Sequence, residues 1–310
     1  MPRTPIPIRL ERSVLSVPAS RWDMIQKAVA SDADCIYLDL EDAVAPSQKE
    51  ASRPLVIKAL RELEWGRKIR CFRINGLDTP WAYRDIVEVV ESAGDRLDCI
   101  VLPKTQRPED VVFVDVLLTQ IERSKGFTRR IGIEAQIETA QGMVNIHAIA
   151  TASERLEALV YGPGDYAASM QMPVSAIGEP DEADALYPGH RWHYAMHRIV
   201  ASARAAGLRA LDGPYAAHRD TEGFRKACLV ARSLGFDGKW CIHPVQVPIA
   251  NQVFSPSRWE VDWALRVVQE YEKALAQGEG AITLEGRMID AASLRMAQAT
   301  VQKARLAGML

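Results

Sequence analysis

A chain of 310 residues, 48% hydrophobic and 25% charged, can bury a large core, and its formal net charge of -2 offers no basic footprint for nucleic acid. No apolar run approaches the roughly 20 residues of a membrane span, and the opening "MPRTPIPIRLERS" lacks the apolar centre of a signal peptide. The expectation is a cytoplasmic protein with no membrane and no nucleic-acid partner.

From the N-terminus, short apolar runs alternate with longer helical patterns. The strand candidates are "SVLSVP" (13–18), "CIYLDLE" (35–41), "IRCFRIN" (69–75), "CIVLPK" (99–104), "IGIEAQIE" (131–138), "ALVYG" (158–162), "RALDGP" (209–214) and "KWCIHP" (239–244). Helical patterns such as "RWDMIQKAVASDA", "PEDVVFVDVLLTQIERS" and "TEGFRKACLVARSLG" lie between them. Eight such units in about 250 residues predict a (β/α)8 TIM barrel over 1–255, with reactive groups at the C-terminal ends of the strands. After "SPSRW" the alternation stops. Residues 256–310 read as an extension: a helix, a "QGEG" linker, a hairpin "AITLEGRMID" and a last helix. The five cysteines, Cys35, Cys71, Cys99, Cys228 and Cys241, have no CxxC spacing, and four of them open apolar runs, which predicts reduced, buried thiols.

Strand parity sorts the polar side chains. Ile131, Ile133, Ala135 and Ile137 share one face, and Glu134, Gln136 and Glu138 share the other. The same alternation groups Tyr37, Asp39 and Glu41, and likewise Cys71, Arg73 and Asn75. Buried charges need partners or a metal, so acids and an arginine converging at a barrel mouth suit a divalent cation with an anionic substrate. Glu138 and Asp165 are hard oxygen donors of the kind Mg²⁺ takes in ones and twos. Two plainer readings stand beside this: Glu138 as cap of the next helix with Asp165 as a turn residue, and Arg73 as half of an internal ion pair. His190, His193 and His197 fall on one helix face, a spacing open to zinc or to a structural role. Lys104 at the end of the fourth strand is placed where some barrel lyases form a Schiff base, but that needs a ketone or aldehyde electron sink and is set aside.

The ordered motifs "RSVLSVP", "LDLEDAV", "FRING", "VLPK", "IETAQG", "YGPGDYAAS" and "KWCIHPVQ" resemble the citrate lyase beta subunit and malyl-CoA lyase family, CoA-ester lyases of the HpcH/HpaI aldolase superfamily, over essentially the whole chain. Within it, "YPGHRWHYAMHRIV", "ALDGPY" and "GRMIDAASLRMA" are most similar to bacterial members acting on L-malyl-CoA and β-methylmalyl-CoA. The resemblance implies Glu138 and Asp165 as ligands of Mg²⁺, with Mn²⁺ as a substitute, and Arg73 as a catalytic and substrate-binding group. It also implies Glu41 and Asp42 as groups orienting metal-bound water, Gly164 as a substrate contact, and CoA contacts near Arg12 and "IHPVQ". Ala19 departs from the glycine common in the family after "VP".

The implied reaction is cleavage of malyl-CoA or β-methylmalyl-CoA to glyoxylate and acetyl-CoA or propionyl-CoA, with coenzyme A as part of the substrate. Citramalyl-CoA or citryl-CoA cleavage, malyl-CoA hydrolysis, and a non-catalytic CoA-binding assembly subunit are the rivals. By the same resemblance Asp290 sits on a C-terminal lid, covers a neighbouring subunit's site as acid/base with a raised pKa, and makes the protein a trimer or hexamer. From the residues alone Asp290 is the N-cap of the last helix.

Overall fold

Runs rich in Val, Ile and Leu, bounded by turn residues, satisfy their backbone groups only by pairing with one another, and the intervening amphipathic segments cover the resulting sheet. The computed structural model describes residues 6–174, 176–186 and 191–310. In chain order the elements are Ser13–Pro18 (β1), Trp22–Val29 (α1), Cys35–Asp39 (β2), Lys49–Glu62 (α2), Ile69–Arg73 (β3), Ala82–Ala93 (α3), Cys99–Leu102 (β4) and Pro108–Lys125 (α4). Gly132–Ile137 (β5), Ala140–Ala150 (α5), Leu156–Tyr161 (β6), Pro163–Ser169 (α6), His193–Ala205 (α7), Arg209–Asp212 (β7), Thr221–Leu234 (α8) and Gly238–Cys241 (β8) follow. Val247–Phe254 (α9), Arg258–Ala276 (α10), Ile282–Leu284 (β9), Arg287–Ile289 (β10) and Ala291–Leu306 (α11) complete the chain.

β1 to β8 pair in sequence order, all parallel, and β1 pairs with β8 to close the barrel. Its interior is filled by alternate residues of the strands: Val14, Cys35, Tyr37, Cys71, Cys99, Val101, Ala158, Val160, Leu211 and Trp240. Tyr37 meets Trp240 edge-to-face at 5.4 Å. All five cysteines are free and buried; Cys35 and Cys71 place their sulfurs 3.6 Å apart as thiols, and burial pushes the Cys228 thiol up to about 12. β1 ends at Pro18 as its run suggests, and the other seven strands stop one to three residues earlier than theirs. Side chains take over the backbone donors there: Asp39 accepts from the amides of Glu41 and Ala43, and Glu138 accepts from the amide of Lys104.

The N-terminal rim of the barrel is a balanced ionic layer. Arg209 pairs with Glu11 at 2.6 Å and Glu157 at 3.2 Å, Arg9 with Glu157 at 2.7 Å, and Arg70 and Arg129 with Asp98 at 2.8 and 2.7 Å. Arg12 belongs to this end. It precedes β1 and grips Asp34, which precedes β2, through Nε and its own amide. The expected CoA contact at Arg12 is corrected accordingly: its guanidinium is spent on an ion pair at the rim opposite the strand ends that carry Glu138 and Arg73.

The chain divides into two compact units, Met1–Asn251 and Gln252–Leu310, a boundary inside α9 and upstream of the 255/256 division read from the sequence. In the second unit Ser257 and Glu260 form a reciprocal capping box at the start of α10. β9 and β10 pair antiparallel through Glu285 and Gly286, both at positive φ, as a two-residue hairpin turn requires. Ala264, Val267, Tyr271, Ile289, Ala297 and Val301 form that unit's own core.

Candidate active site at the barrel mouth

The centre of the mouth is an arginine. Asp39 and Arg73 are register partners across β2 and β3, and their side chains form a two-pronged pair with Nε–Oδ1 at 2.8 Å and Nη2–Oδ2 at 2.6 Å. The third guanidinium nitrogen, Nη1, lies 2.9 Å from Glu41 Oε2 and 3.4 Å from Gln136 Oε1, and the plane stands over the Trp240 ring at 5.1 Å. Burial would raise the Asp39 carboxyl, but the charge and hydrogen bonds of Arg73, with two backbone amides, hold it below the usual carboxylate range. Arg73 is thus half of an internal ion pair and a fixed positive charge at the mouth at once.

Glu138 follows β5 and is 1% exposed. The cap of α5 is Thr139, whose side chain accepts from the Gly142 amide at 3.0 Å, so the helix-capping reading of Glu138 is set aside. Glu138 instead accepts from the Lys104 amide at 2.7 Å and from Gln136 Nε2 at 2.6 Å. Its carboxyl is pushed up to about 8 by burial first, with Arg73 opposing and the nearby charges of Glu41 and Asp165 adding. Gly162 makes room for it: a Cβ there would lie 2.2 Å from Glu138 Oε2 and 2.5 Å from Glu138 Cβ. The glycine that opens the Gly162-Pro163-Gly164-Asp165 turn is required by the carboxylate beside it. Asp165 stands in the first turn of α6 and its side chain is 41% exposed.

Lys104 ties these acids together. Its φ of 47 is a left-handed conformation that costs a non-glycine residue about 1–2 kcal/mol. The turn it makes aims its amide at Glu138 and its ammonium at Glu41, with Asp42 at 3.4 Å and Asp165 at 3.9 Å. Burial opposes the ammonium charge, yet the hydrogen bond and charge of Glu41, with Glu138 and Asp42, hold Lys104 more firmly protonated than usual. A Schiff base needs the neutral amine, so this environment also disfavours that use of Lys104. The Glu41 carboxyl is raised by burial, against Arg73 and Lys104.

The structure therefore gathers Arg73, Glu41, Asp42, Glu138 and Asp165, and adds Asp39, Gln136 and Lys104. Parity had pointed at Asp39 and Gln136 without marking them as site residues. Asn75, grouped with Arg73 by the same parity, turns instead to Asp85 of α3, donating through its amide at 2.9 Å and Nδ2 at 2.7 Å, because β3 has already ended. Gly164 adjoins Asp165 and lines a cavity of about 320 Å³ with Ala167, Met172, Ile177 and Trp192. Ala19 is buried and is not among the non-glycine residues at positive φ, so alanine fits that turn without strain. His193 and His197 on α7 meet edge-to-face at 4.3 Å; His190 lies outside the described residues. Among the described residues, the trio of His, Cys, Asp or Glu groups whose ligand atoms lie within 4.8 Å of one another is Cys71, Cys99 and Glu134 inside the barrel, where Glu134 is already bonded to Tyr37.

Asp290 caps α11 as its sequence context suggests, accepting from the amides of Ala292 and Ser293, each at 2.9 Å. In this single chain its carboxyl is held below the ordinary value by the Ser293 amide and hydroxyl and the Ala292 amide; the raised value is the expectation for a lid closed over a neighbouring subunit. Helix N-terminal donors favour the charged form.

The donor set fits a divalent cation. Five carboxylates (Asp39, Glu41, Asp42, Glu138, Asp165) face two cationic side chains, Arg73 and Lys104, and crowding of like charge is part of what lifts Glu138. Lys49 adds a third positive charge nearby but donates to the carbonyls of Leu40 and Glu41. Fold and site together define a barrel enzyme whose acidic mouth is built around one buried arginine. Residues 12–244 match the HpcH/HpaI aldolase/citrate lyase family, and the chain belongs to that family. It is 44% identical over 308 residues to the L-malyl-CoA/beta-methylmalyl-CoA lyase of Cereibacter sphaeroides, covering 97% of each chain. It is 37% identical over 293 residues to a (3S)-malyl-CoA thioesterase of the same species, covering 94% of each. The CitE protein of Mycobacterium tuberculosis, solved in complex with magnesium, acetoacetate and coenzyme A, superposes with a TM-score of 0.75 at 28% identity, covering 96% of this chain and 98% of that one.

Gly162→Ala tests the packing of the site. Overpacking at a closed position should cost about 1–3 kcal/mol of stability and displace Glu138, weakening Mg²⁺ binding in a calorimetric titration. A variant with unchanged melting temperature and Mg²⁺ affinity would contradict the close approach.

Proposed function

We propose that the protein is a divalent-cation-dependent CoA-ester lyase that cleaves L-malyl-CoA to acetyl-CoA and glyoxylate, and β-methylmalyl-CoA to propionyl-CoA and glyoxylate, reversibly. The observation that carries this reading is the buried Arg73, locked by Asp39 and facing acids in excess of the cations around them. Glu138 and Asp165 would hold Mg²⁺, or Mn²⁺ in its place, with Glu41 and Asp42 orienting its water. When bound, the ion supplies Lewis-acid polarisation and charge neutralisation for the substrate's carboxylate and hydroxyl oxygens.

The chain's own groups account for the rest. The hydroxyl proton passes to a base, the bond between the hydroxyl-bearing carbon and the carbon next to the thioester breaks, and its electron pair enters the thioester as an enolate. Glyoxylate leaves, and the enolate carbon takes a proton to give the acyl-CoA. Arg73 offers donors that are already oriented, so stabilising negative charge on the substrate requires no reorganisation at that moment. Asp290, from the lid of a neighbouring subunit, is the proposed base; held as a carboxylate by its helix cap, it starts in the form that accepts a proton. A trimer, or a hexamer built from trimers, would supply it. The cavity beside Gly164 is apolar enough for the acyl or pantetheine portion. A second reading, hydrolysis of malyl-CoA to malate and CoA, is favoured by the similarity to the thioesterase; product analysis for glyoxylate against malate separates the two.

Asp165→Asn and Glu138→Gln should each abolish most Mg²⁺-dependent cleavage while the circular dichroism spectrum stays native; near-normal turnover at limiting Mg²⁺ would overturn the ligand assignment. Arg73→Lys is expected to lower turnover on the order of 10²-fold, because an ammonium cannot reproduce the guanidinium fork. For the shared site, mixing inactive Asp290→Ala subunits with inactive Asp165→Asn subunits should restore part of the activity. No recovery despite proven subunit exchange would remove Asp290 from the neighbour's site.

A further inference from the structure

We propose that Lys104 is the metal site's own counter-cation: its ammonium occupies the space among Glu41, Asp42 and Asp165, and competes with the divalent ion for Asp165. The inference rests on the assignment of Glu138 and Asp165 as ligands. Three observations carry it. The ammonium bonds Glu41 and lies 3.4 Å from Asp42 and 3.9 Å from Asp165, so one side chain spans acids on β2's loop and on α6. The same residue donates its amide to Glu138 at 2.7 Å, which joins both proposed ligands to one backbone position. That position is held in the left-handed region at φ 47, where lysine has no intrinsic reason to sit, and the turn is what brings both donors to the acids.

The consequence is a reciprocal one. Without the divalent ion, Lys104 offsets repulsion among carboxylates that would otherwise push the mouth open. When the ion arrives, like-charge repulsion moves the ammonium further from Asp165, while its bond to Glu41 and its approach to Asp42 remain and fix the groups proposed to orient metal-bound water. The lysine thus weakens metal binding and stabilises the metal-free form. A residue acting only as a structural tether would not produce that opposition.

The test is calorimetric titration of MgCl₂ into the purified full-length protein, with melting temperatures recorded with and without Mg²⁺. Lys104→Met keeps the amide and length of the side chain and removes the charge. It should bind Mg²⁺ about tenfold more tightly, since a unit charge near 4 Å from a ligand is removed. Its melting temperature should fall without Mg²⁺ and recover more with it than that of the wild type. Lys104→Arg should behave like the wild type. Lys104→Gln, a second neutral variant, gives the same readout if the methionine protein is insoluble. Mg²⁺ binding that is unchanged or weaker in the neutral variants, against clear binding by the wild type, overturns this inference and leaves the ligand assignment standing. Failure of the wild type and of every variant to bind Mg²⁺ overturns the ligand assignment and this inference with it.

Discussion

The pair between Asp39 and Arg73 organises the mouth of the barrel. The two residues face each other in the β2–β3 register, and Leu40 donates its amide to the Arg73 carbonyl at 3.0 Å just beyond. A buried ion pair of this kind is weak as a source of stability, because desolvating two charges consumes much of what their attraction returns. Its effect is positional. Asp39, held by the amides of Glu41 and Ala43, fixes the loop that carries Glu41 and Asp42, and the same carboxylate fixes the plane of Arg73. Loop and guanidinium are therefore set by one group.

The two ends of the barrel use charge differently. At the N-terminal rim Arg9, Arg70, Arg129 and Arg209 meet Glu11, Asp98, Glu134 and Glu157, four against four by formal charge, and burial, with Glu11 and Glu157 beside it, pushes the Glu134 carboxyl up. At the C-terminal mouth the acids outnumber the cations, and burial first, with the charges of Glu41 and Asp165 adding, raises the Glu138 carboxyl. The contrast separates Arg12, which closes a pair with Asp34, from Arg73, whose guanidinium is shared among Asp39, Glu41 and Gln136, although both are arginines near strand ends.

The geometry of the mouth also explains its turns. Gly162 is glycine because Glu138 fills the volume a Cβ would take, and Lys104 accepts an unfavourable backbone conformation because its amide and ammonium are both needed by acids on different strands. Local strain at one lysine and a missing side chain at one glycine let carboxylates approach more closely than they would in a relaxed loop. Such departures from local preference gather at functional sites.

Periodicity by itself determined that eight apolar runs make eight parallel strands, and alternation within them determined that Asp39, Arg73, Gln136 and Glu138 face one way, since a strand has only two faces. The capping signal before "AASLRMA" likewise placed Asp290 at the start of α11 from local residues alone. Past the strand ends alternation held for Glu41 and Glu138 but failed at Asn75, because the Asp85 carboxylate on α3 accepts from both its amide and its side chain. Which end of the barrel an arginine occupies, whether Glu138 or Thr139 caps α5, and what Lys104 does with its ammonium were decided only by the tertiary structure. The Thr139 cap lies 3 residues from its donor and competed with Glu138 beside it, while the other partners lie 22, 34 and 63 residues away, and a through-space contact at such separations leaves no spacing in the sequence to read.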